Sequence, residues 1–376
     1  MPRPPLWKIK RELKRLLTQP LQWPADTLSY LFGASYYDFY LARKRITKRG
    51  IQPASAQHAV YLIFPEKGLL PSHIRSLRYL VGKGVSTTVV SNFPMSEEDR
   101  AQVLALCHTY IERPNFGYDF GGYRDGVLSL ESGAGKLDRL ILLNDSVWFP
   151  VEDSRDWLAD VDALGVDFSA AASHYGFPRV DPEAFRSIQF EYSSDRNSFH
   201  YCSFAISFSR KVIEHPTFFQ FWKRFPLTNK KKRTVRRGEI GLTAWALKHN
   251  FSHAETSGIN QLKNRLDQYD SAQLKEIAQS MIILGDNAMK QIKADTVTQP
   301  CQMSSSEWKK LILTIVARQG ASYALAHYNV IEQDYFFLKK SPVRLDPEAA
   351  AVTLQILDKL DTPAAREIKQ EICGKG

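Results

Sequence analysis

Cysteine is scarce. The 376 residues hold four, Cys107, Cys202, Cys301 and Cys373, with no Cys-x-x-Cys pair and no histidine cluster beside them. That spacing argues against a disulfide framework or a zinc site and leads us to expect a reduced, cytoplasmic setting. Also lacking is any apolar run long enough to cross a bilayer. The N-terminus is basic but has no apolar core and cleavage site, so a signal peptide is not expected. No zinc-finger spacing or RNA-recognition motif is present, and no nucleic acid is expected as a partner. Nor is there a clear internal repeat. What remains is a globular composition, 44% hydrophobic and 12% aromatic. The length suits one large domain with appendages, or two domains.

The net charge of +10 is uneven, because residues 1–50 hold 11 Lys/Arg against 3 Asp/Glu. There Leu6, Ile9, Leu13, Leu16 and Leu17 recur at helical spacing among lysines and arginines. Aromatics follow from Tyr30 to Tyr40, then Arg43, Lys44, Arg45, Lys48 and Arg49. We read residues 1–55 as a basic amphipathic helical arm. Its two readings are contact with an anionic membrane, at the inner face of the cell membrane, or packing on the main domain with a solvated basic face.

From about Ala59 strands and helices alternate. Residues 59–64, 86–90, 109–111 and 140–143 read as buried strands, with helices after the first two. Ser96 is the expected N-cap of the second helix. Further strands are expected at 168–172 and 204–208, and a loop or lid at 181–198. Residues beyond about 260 read as helical. Alternation of this kind points to an α/β fold, a Rossmann-type, mainly parallel sheet with helices on both faces.

Two stretches carry the chemistry. Asn115-Phe116-Gly117-Tyr118-Asp119-Phe120-Gly121-Gly122-Tyr123 reads as a loop whose glycines let backbone approach a ligand. Leu140 to Leu143 leads into Asn144-Asp145-Ser146, which puts Asp145 at the carboxyl end of a strand, where open α/β sheets bind ligands. Ser91 and Asn92 end another strand on that edge. Later, Gly238-Glu239 opens a helix, and Lys230 to Arg237 forms a basic run that suits a diphosphate or a solvated loop.

The stretch from Asn115 to Tyr123, with Asn144-Asp145-Ser146 and Gly238-Glu239-Ile240-Gly241-Leu242, resembles the rhamnan synthesis protein F family. The resemblance covers roughly residues 58–260. It implies a GT-A-like glycosyltransferase domain at 56–260, followed by a C-terminal helical region at 261–376. It further implies a sugar, rhamnose from dTDP-rhamnose, moved with inversion onto a growing glycan or lipid-linked glycan acceptor of bacterial cell-surface polysaccharide, such as O-antigen or lipopolysaccharide. Many GT-A enzymes carry Asp-x-Asp; here only Asp145 is acidic, which leaves dependence on Mg²⁺ or Mn²⁺ open.

Each candidate residue has an expected role. Asp145 is the metal ligand and a catalytic residue, or else a helix cap. Glu239 is the general base for the acceptor hydroxyl, or an acid favoured at a helix N-terminus. Ser91, Asn92, Asn115, Gly117, Tyr118, Asp119, Gly121, Gly122 and Asn144 are expected to contact the nucleotide sugar. His174, His200 and His253 are candidates for metal or acceptor, or ordinary structural histidines. The rival to an enzyme is a catalytically degenerate scaffold that binds membrane surfaces or polyanions.

Overall fold

The central strands are apolar or β-branched on both faces and so are buried on both. In the computed structural model, which describes residues 31–152, 156–189, 191–298 and 303–374, eight strands form one sheet. In chain order they are β1 (Ile46–Arg49), β2 (Gln57–Ile63), β3 (Ser86–Ser91), β4 (Thr109–Glu112), β5 (Arg139–Asn144), β6 (Phe168–Ala170), β7 (Ala205–Ser209) and β8 (His253–Glu255). The spatial order is β1-β4-β3-β2-β5-β7-β6-β8. The pairs β4-β3, β3-β2, β2-β5 and β6-β8 are parallel. Strand β7 runs antiparallel to both neighbours, and β1 is an antiparallel edge. This is the mainly parallel α/β sheet with helices around it that the sequence leads one to expect.

The two-residue period divides the core. Val60, Leu62, Leu140 and Leu142 face one apolar layer; Ala59, Tyr61, Ile141 and Leu143 face the other. Helix α1 (Pro71–Gly82) and helix α2 (Glu97–Leu106) follow β2 and β3, and Ser96 caps α2 by accepting from Asp99 N at 3.0 Å. Helix α3 (Tyr118–Leu128) covers the other face. Residues 261–374 are helical among those described, apart from Leu338–Lys339, which pairs antiparallel with Val147–Trp148 just after β5. Phe337 stacks on Phe149 at 4.6 Å, so the end of the chain returns to the main sheet.

Four expectations change. The arm is described only from residue 31: helical at 31–41, it then forms strand β1, because Ile46 to Arg49 find the open edge of β4. Leu6 to Leu17 lie outside the described residues, as does Cys301. Strand β8 was not expected, since a three-residue strand containing His253 and Glu255 carries no apolar run. The segment 181–198 is no free lid, because Phe185 and Ile188 are buried among the C-terminal helices. Finally, the glycine stretch is a loop only as far as Gly117, and Gly121 and Gly122 lie inside α3. No helix among the described residues is long and apolar enough to cross a membrane.

Candidate active site

Parallel strands that start together also end together. Strands β2, β3, β4 and β5 finish at Ile63, Ser91, Glu112 and Asn144, while antiparallel β7 begins on the same edge at Ala205. The candidates from the strand ends and the glycine stretch, with Glu239, lie at or beside that edge, except Gly121 and Gly122 inside α3, whereas His253 opens β8 at the opposite end of the sheet.

At one end is a cleft of about 380 Å³ lined by Lys44, Asn92, Phe93, Arg113 and Asn115 among others. Arg113 is buried and forms its floor. Its Nε donates to the Tyr37 hydroxyl at 2.9 Å and to Asp125 Oδ2 at 2.8 Å, Nη1 to Asn92 Oδ1 at 2.6 Å, and Nη2 to the Phe116 carbonyl at 2.7 Å. Tyr37 also donates to Asp125. Asn92 thus spends its carbonyl oxygen on Arg113 and Ser91 donates to the Phe93 carbonyl, so both shape the cleft wall. Phe64 packs edge-on against Phe93 and remains partly exposed.

The centre is acidic. Asp145 Oδ2 accepts from Phe64 N at 2.7 Å and from His73 Nε2 at 3.0 Å. Burial alone would raise its carboxyl, but the His73 bond and charge, with Lys340 and the Phe64 N–H, hold it below the ordinary carboxylate value. Asn144 donates through Nδ2 to Asp119 Oδ2 at 3.3 Å and accepts from Ser146 N and Oγ. Asp119, in the first turn of α3, is pushed up to about 6 by desolvation and by the carboxylates of Asp145 and Glu239, against Lys339 and Lys231. The aspartate after β5 and the glycine stretch are therefore neighbours at this edge, joined through Asn144.

Glu239 sits on a π-helical turn, Arg236–Ile240. Its Oε1 accepts from Ser203 N at 3.1 Å and Ser203 Oγ at 2.7 Å, and Oε2 lies 3.6 Å from His200 Nε2. Gly117 takes φ +84° and donates to Asn229 Oδ1, while Tyr118 donates to the Asn229 carbonyl and stays exposed at the cleft. The basic run is thereby tied to the glycine turn. Gly121 and Gly122 are close-packing positions: a Cβ on Gly122 would lie 2.3 Å from Leu62 Cδ1, so it lets α3 approach the sheet, and one on Gly121 would lie 2.2 Å from the Phe116 carbonyl oxygen and 3.1 Å from Arg113 Nη2, so it lets α3 approach the turn before it. His174 is half-buried, stacked on Tyr175, and held at about 3 chiefly by desolvation; His253 bonds Tyr201. Of the three histidines only His200 meets a site residue.

Sequence reasoning missed His73, Lys339, Lys340 and Asn229. Lys339 comes from a segment almost two hundred residues after Asp145 and carries no local signal. His73 follows Pro71 at the start of α1, where its Nδ1 also accepts from Leu70 N, so it resembles a helix-start residue. Among the described residues no group of three or more His, Cys, Asp or Glu is arranged for a metal ion.

Residues 87–320 match the family model of rhamnan synthesis protein F. An uncharacterized protein of Sinorhizobium fredii, y4gN, is 33% identical over 241 residues, 63% of this chain and 57% of its own. Virulence protein VirA of Vibrio anguillarum is 37% identical over 85 residues, 20% of this chain and 28% of its own. The chain thus spans little more than half, at most, of these relatives' length. Among solved structures, S. aureus TarS 1-349 in complex with UDP-GlcNAc aligns with 81% of this chain and 81% of its own at 9% identity and a TM-score of 0.26. The Mn/GDP form of core-mannan synthase A from Aspergillus fumigatus covers 46% of this chain and 64% of its own at 10% identity and a TM-score of 0.27. Likenesses this distant say nothing about the substrate of this chain.

Proposed function

From the premise that this chain belongs to the rhamnan synthesis protein F family, we propose that it is a glycosyltransferase of bacterial polysaccharide assembly, with dTDP-rhamnose as donor and a glycan or lipid-linked glycan as acceptor. The observation that carries the reading is the meeting of Asp119, Asp145 and Glu239 at one sheet edge, linked by the Asn144–Asp119 bond. Three carboxylates this close repel, and the charges of Asp145 and Glu239 add to the desolvation that raises Asp119. A divalent cation brought in with the donor diphosphate would relieve it.

The nucleotide lies along the cleft of Asn92, Arg113 and Asn115, with Phe64 and Tyr118 as aromatic walls. Lys231 and Lys339 face the diphosphate. Asp145, through the oxygen not taken by His73, and Asp119 would hold Mg²⁺ or Mn²⁺. Two carboxylates fit an ion that keeps water and binds mainly through substrate phosphate. When bound, such an ion neutralises charge growing on the leaving diphosphate. His73 and the Phe64 N–H fix the Asp145 carboxylate and keep it ionised. Glu239, oriented by Ser203, accepts the proton of the acceptor hydroxyl. The acceptor oxygen then bonds to the anomeric carbon on the face opposite the diphosphate. The glycosidic electron pair leaves with the nucleoside diphosphate, and configuration inverts.

The test is a thermal-shift screen of nucleotide sugars with and without Mn²⁺ and Mg²⁺. A shift with dTDP-rhamnose that needs the ion, absent in Asp145→Asn, is expected. Indifference to every nucleotide sugar would favour the degenerate scaffold.

A further inference from the structure

Ten large hydrophobic side chains are exposed among the described residues, and they are not scattered. Seven of them, Leu31, Phe32, Tyr36, Phe39, Tyr40, Ile46 and Ile51, fall within residues 31–51. Phe39 and Tyr40 are the most open of the aromatics, at 65% and 67%. Single exposed apolar side chains are ordinary; a contiguous set marks a contact surface.

This surface is mounted firmly. Gly33 lies so close to the Leu227 carbonyl that a Cβ would approach it to 2.1 Å. One turn later Tyr37 is fully buried, bonded to Asp125 and Arg113 and stacked on Phe116 at 6.0 Å. Asp38 is taken by Arg124 through two bonds. The inward positions clamp the helix, and the outward ones, Phe32, Tyr36, Phe39 and Tyr40, project into solvent. Beyond them come Arg43, Lys44, Arg45, Lys48 and Arg49, all exposed. Asp38 is the one acid in residues 31–51 and it is already paired, so the surface is cationic as well as aromatic.

We infer that residues 31–51 form a docking surface for an anionic lipid bilayer, which the aromatic side chains enter at headgroup depth while the arginines and lysines meet the lipid charge. Tyrosine and phenylalanine beside basic residues match that interface in both polarity and sign. Lys44 belongs to the surface and also lines the cleft of Asn92 and Asn115. Docking therefore brings the mouth of the cleft to the membrane plane. The surface itself is independent of the transfer reaction, and its test uses no sugar donor.

That test is co-sedimentation of the full chain with phosphatidylcholine vesicles, with and without phosphatidylglycerol. Binding is expected to require phosphatidylglycerol and to weaken as salt rises. Removing two exposed aromatics together, Phe39→Ser with Tyr40→Ser, is expected to weaken binding by roughly tenfold or more. Arg43→Gln and Arg49→Gln are each expected to weaken it about fivefold. These four side chains face water, so melting temperatures should match the parent, and loss of vesicle binding will then report the surface itself. Three results overturn the inference. One is failure to sediment with either vesicle. Another is binding to heparin or an oligonucleotide as tight as to vesicles and indifferent to the aromatic pair, which assigns a general polyanion site. The third is a dimer in solution that the aromatic substitutions dissociate, which assigns the face to a second copy of the chain.

Discussion

Asp145 and Glu255 end strands of the same sheet, and their surroundings push them in opposite directions. Asp145 has a histidine and a backbone N–H on one oxygen and is held low. Glu255 accepts from Ile259 N through Oε1, but its buried Oε2 has no hydrogen-bond partner, and desolvation lifts it to about 7. A depressed carboxylate stabilises the fold above its unfolded value of 3.8, and that stability fades as pH falls through the lower folded value. In Asp145→Asn the buried His73 loses its anionic acceptor, which should cost about 1–3 kcal/mol at neutral pH and little in strong acid. Turnover should fall by on the order of 100-fold or more, well beyond what the stability loss explains. Urea melts at two pH values and a single-turnover assay check both. Glu255 has the opposite sign. A carboxyl raised in the fold stabilises below the unfolded value of 4.5, and the benefit is lost as pH climbs to about 7. Glu255→Gln should therefore be more stable than the parent at pH 8, by on the order of 2 kcal/mol, and no more stable below pH 5. Denaturation midpoints across that range decide it.

Helix α3 shows where sequence reading succeeded and where it stopped. The central strands were legible because Leu140 to Leu143 and Val60 to Ile63 are apolar without a break, which only a sheet covered on both faces tolerates. Asp145 was legible for the same reason, as the first carboxylate past such a run. Three glycines in nine residues, by contrast, signal a loop by local propensity, and tertiary packing overrode that signal. Gly121 and Gly122 sit in the helix because the backbone must come close: a Cβ on Gly121 would fall 2.2 Å from the Phe116 carbonyl oxygen, which cannot yield without moving the turn. That oxygen also accepts from Arg113. Gly121→Ala should therefore destabilise by about 1–3 kcal/mol and disturb the Arg113 floor of the cleft, although alanine is the better helix former. Equilibrium unfolding of the variant tests this, and unchanged or raised stability would return the glycine to a ligand-contact role.

At the scale of the whole molecule the cleft is completed by chain that sequence reading could not bring to it. Residues 338–339 form a strand of only two residues, too short to announce itself, yet its pairing with Val147–Trp148 brings Lys340 to Asp145 and Lys339 to Asp119. Lys340 is committed to structure: it pairs with Glu371 at 3.1 Å and donates to Ser72 Oγ at 2.8 Å, joining the last helix to α1. Lys339 is not committed in that way. Its ammonium lies 3.9 Å from the centre of the Phe204 ring and 5.5 Å from that of Tyr323, held by aromatic faces with no ion pair among the described residues, and it lowers Asp119 through space. A cation held this way keeps its N–H groups for a ligand. Lys339→Met preserves length and apolar packing while removing the charge. It should weaken binding of a nucleoside diphosphate about tenfold, the equivalent of 1.4 kcal/mol. The melting temperature should stay within a few degrees of the parent, since only the exchanged aromatic contact is at stake. Lys340→Met, in contrast, leaves Glu371 without its cation and should lower stability more than affinity. Calorimetric titration with dTDP and Mg²⁺, run beside a thermal melt of each variant, separates the two lysines; equal affinity loss in both would mean that the strand Leu338–Lys339 serves the fold alone.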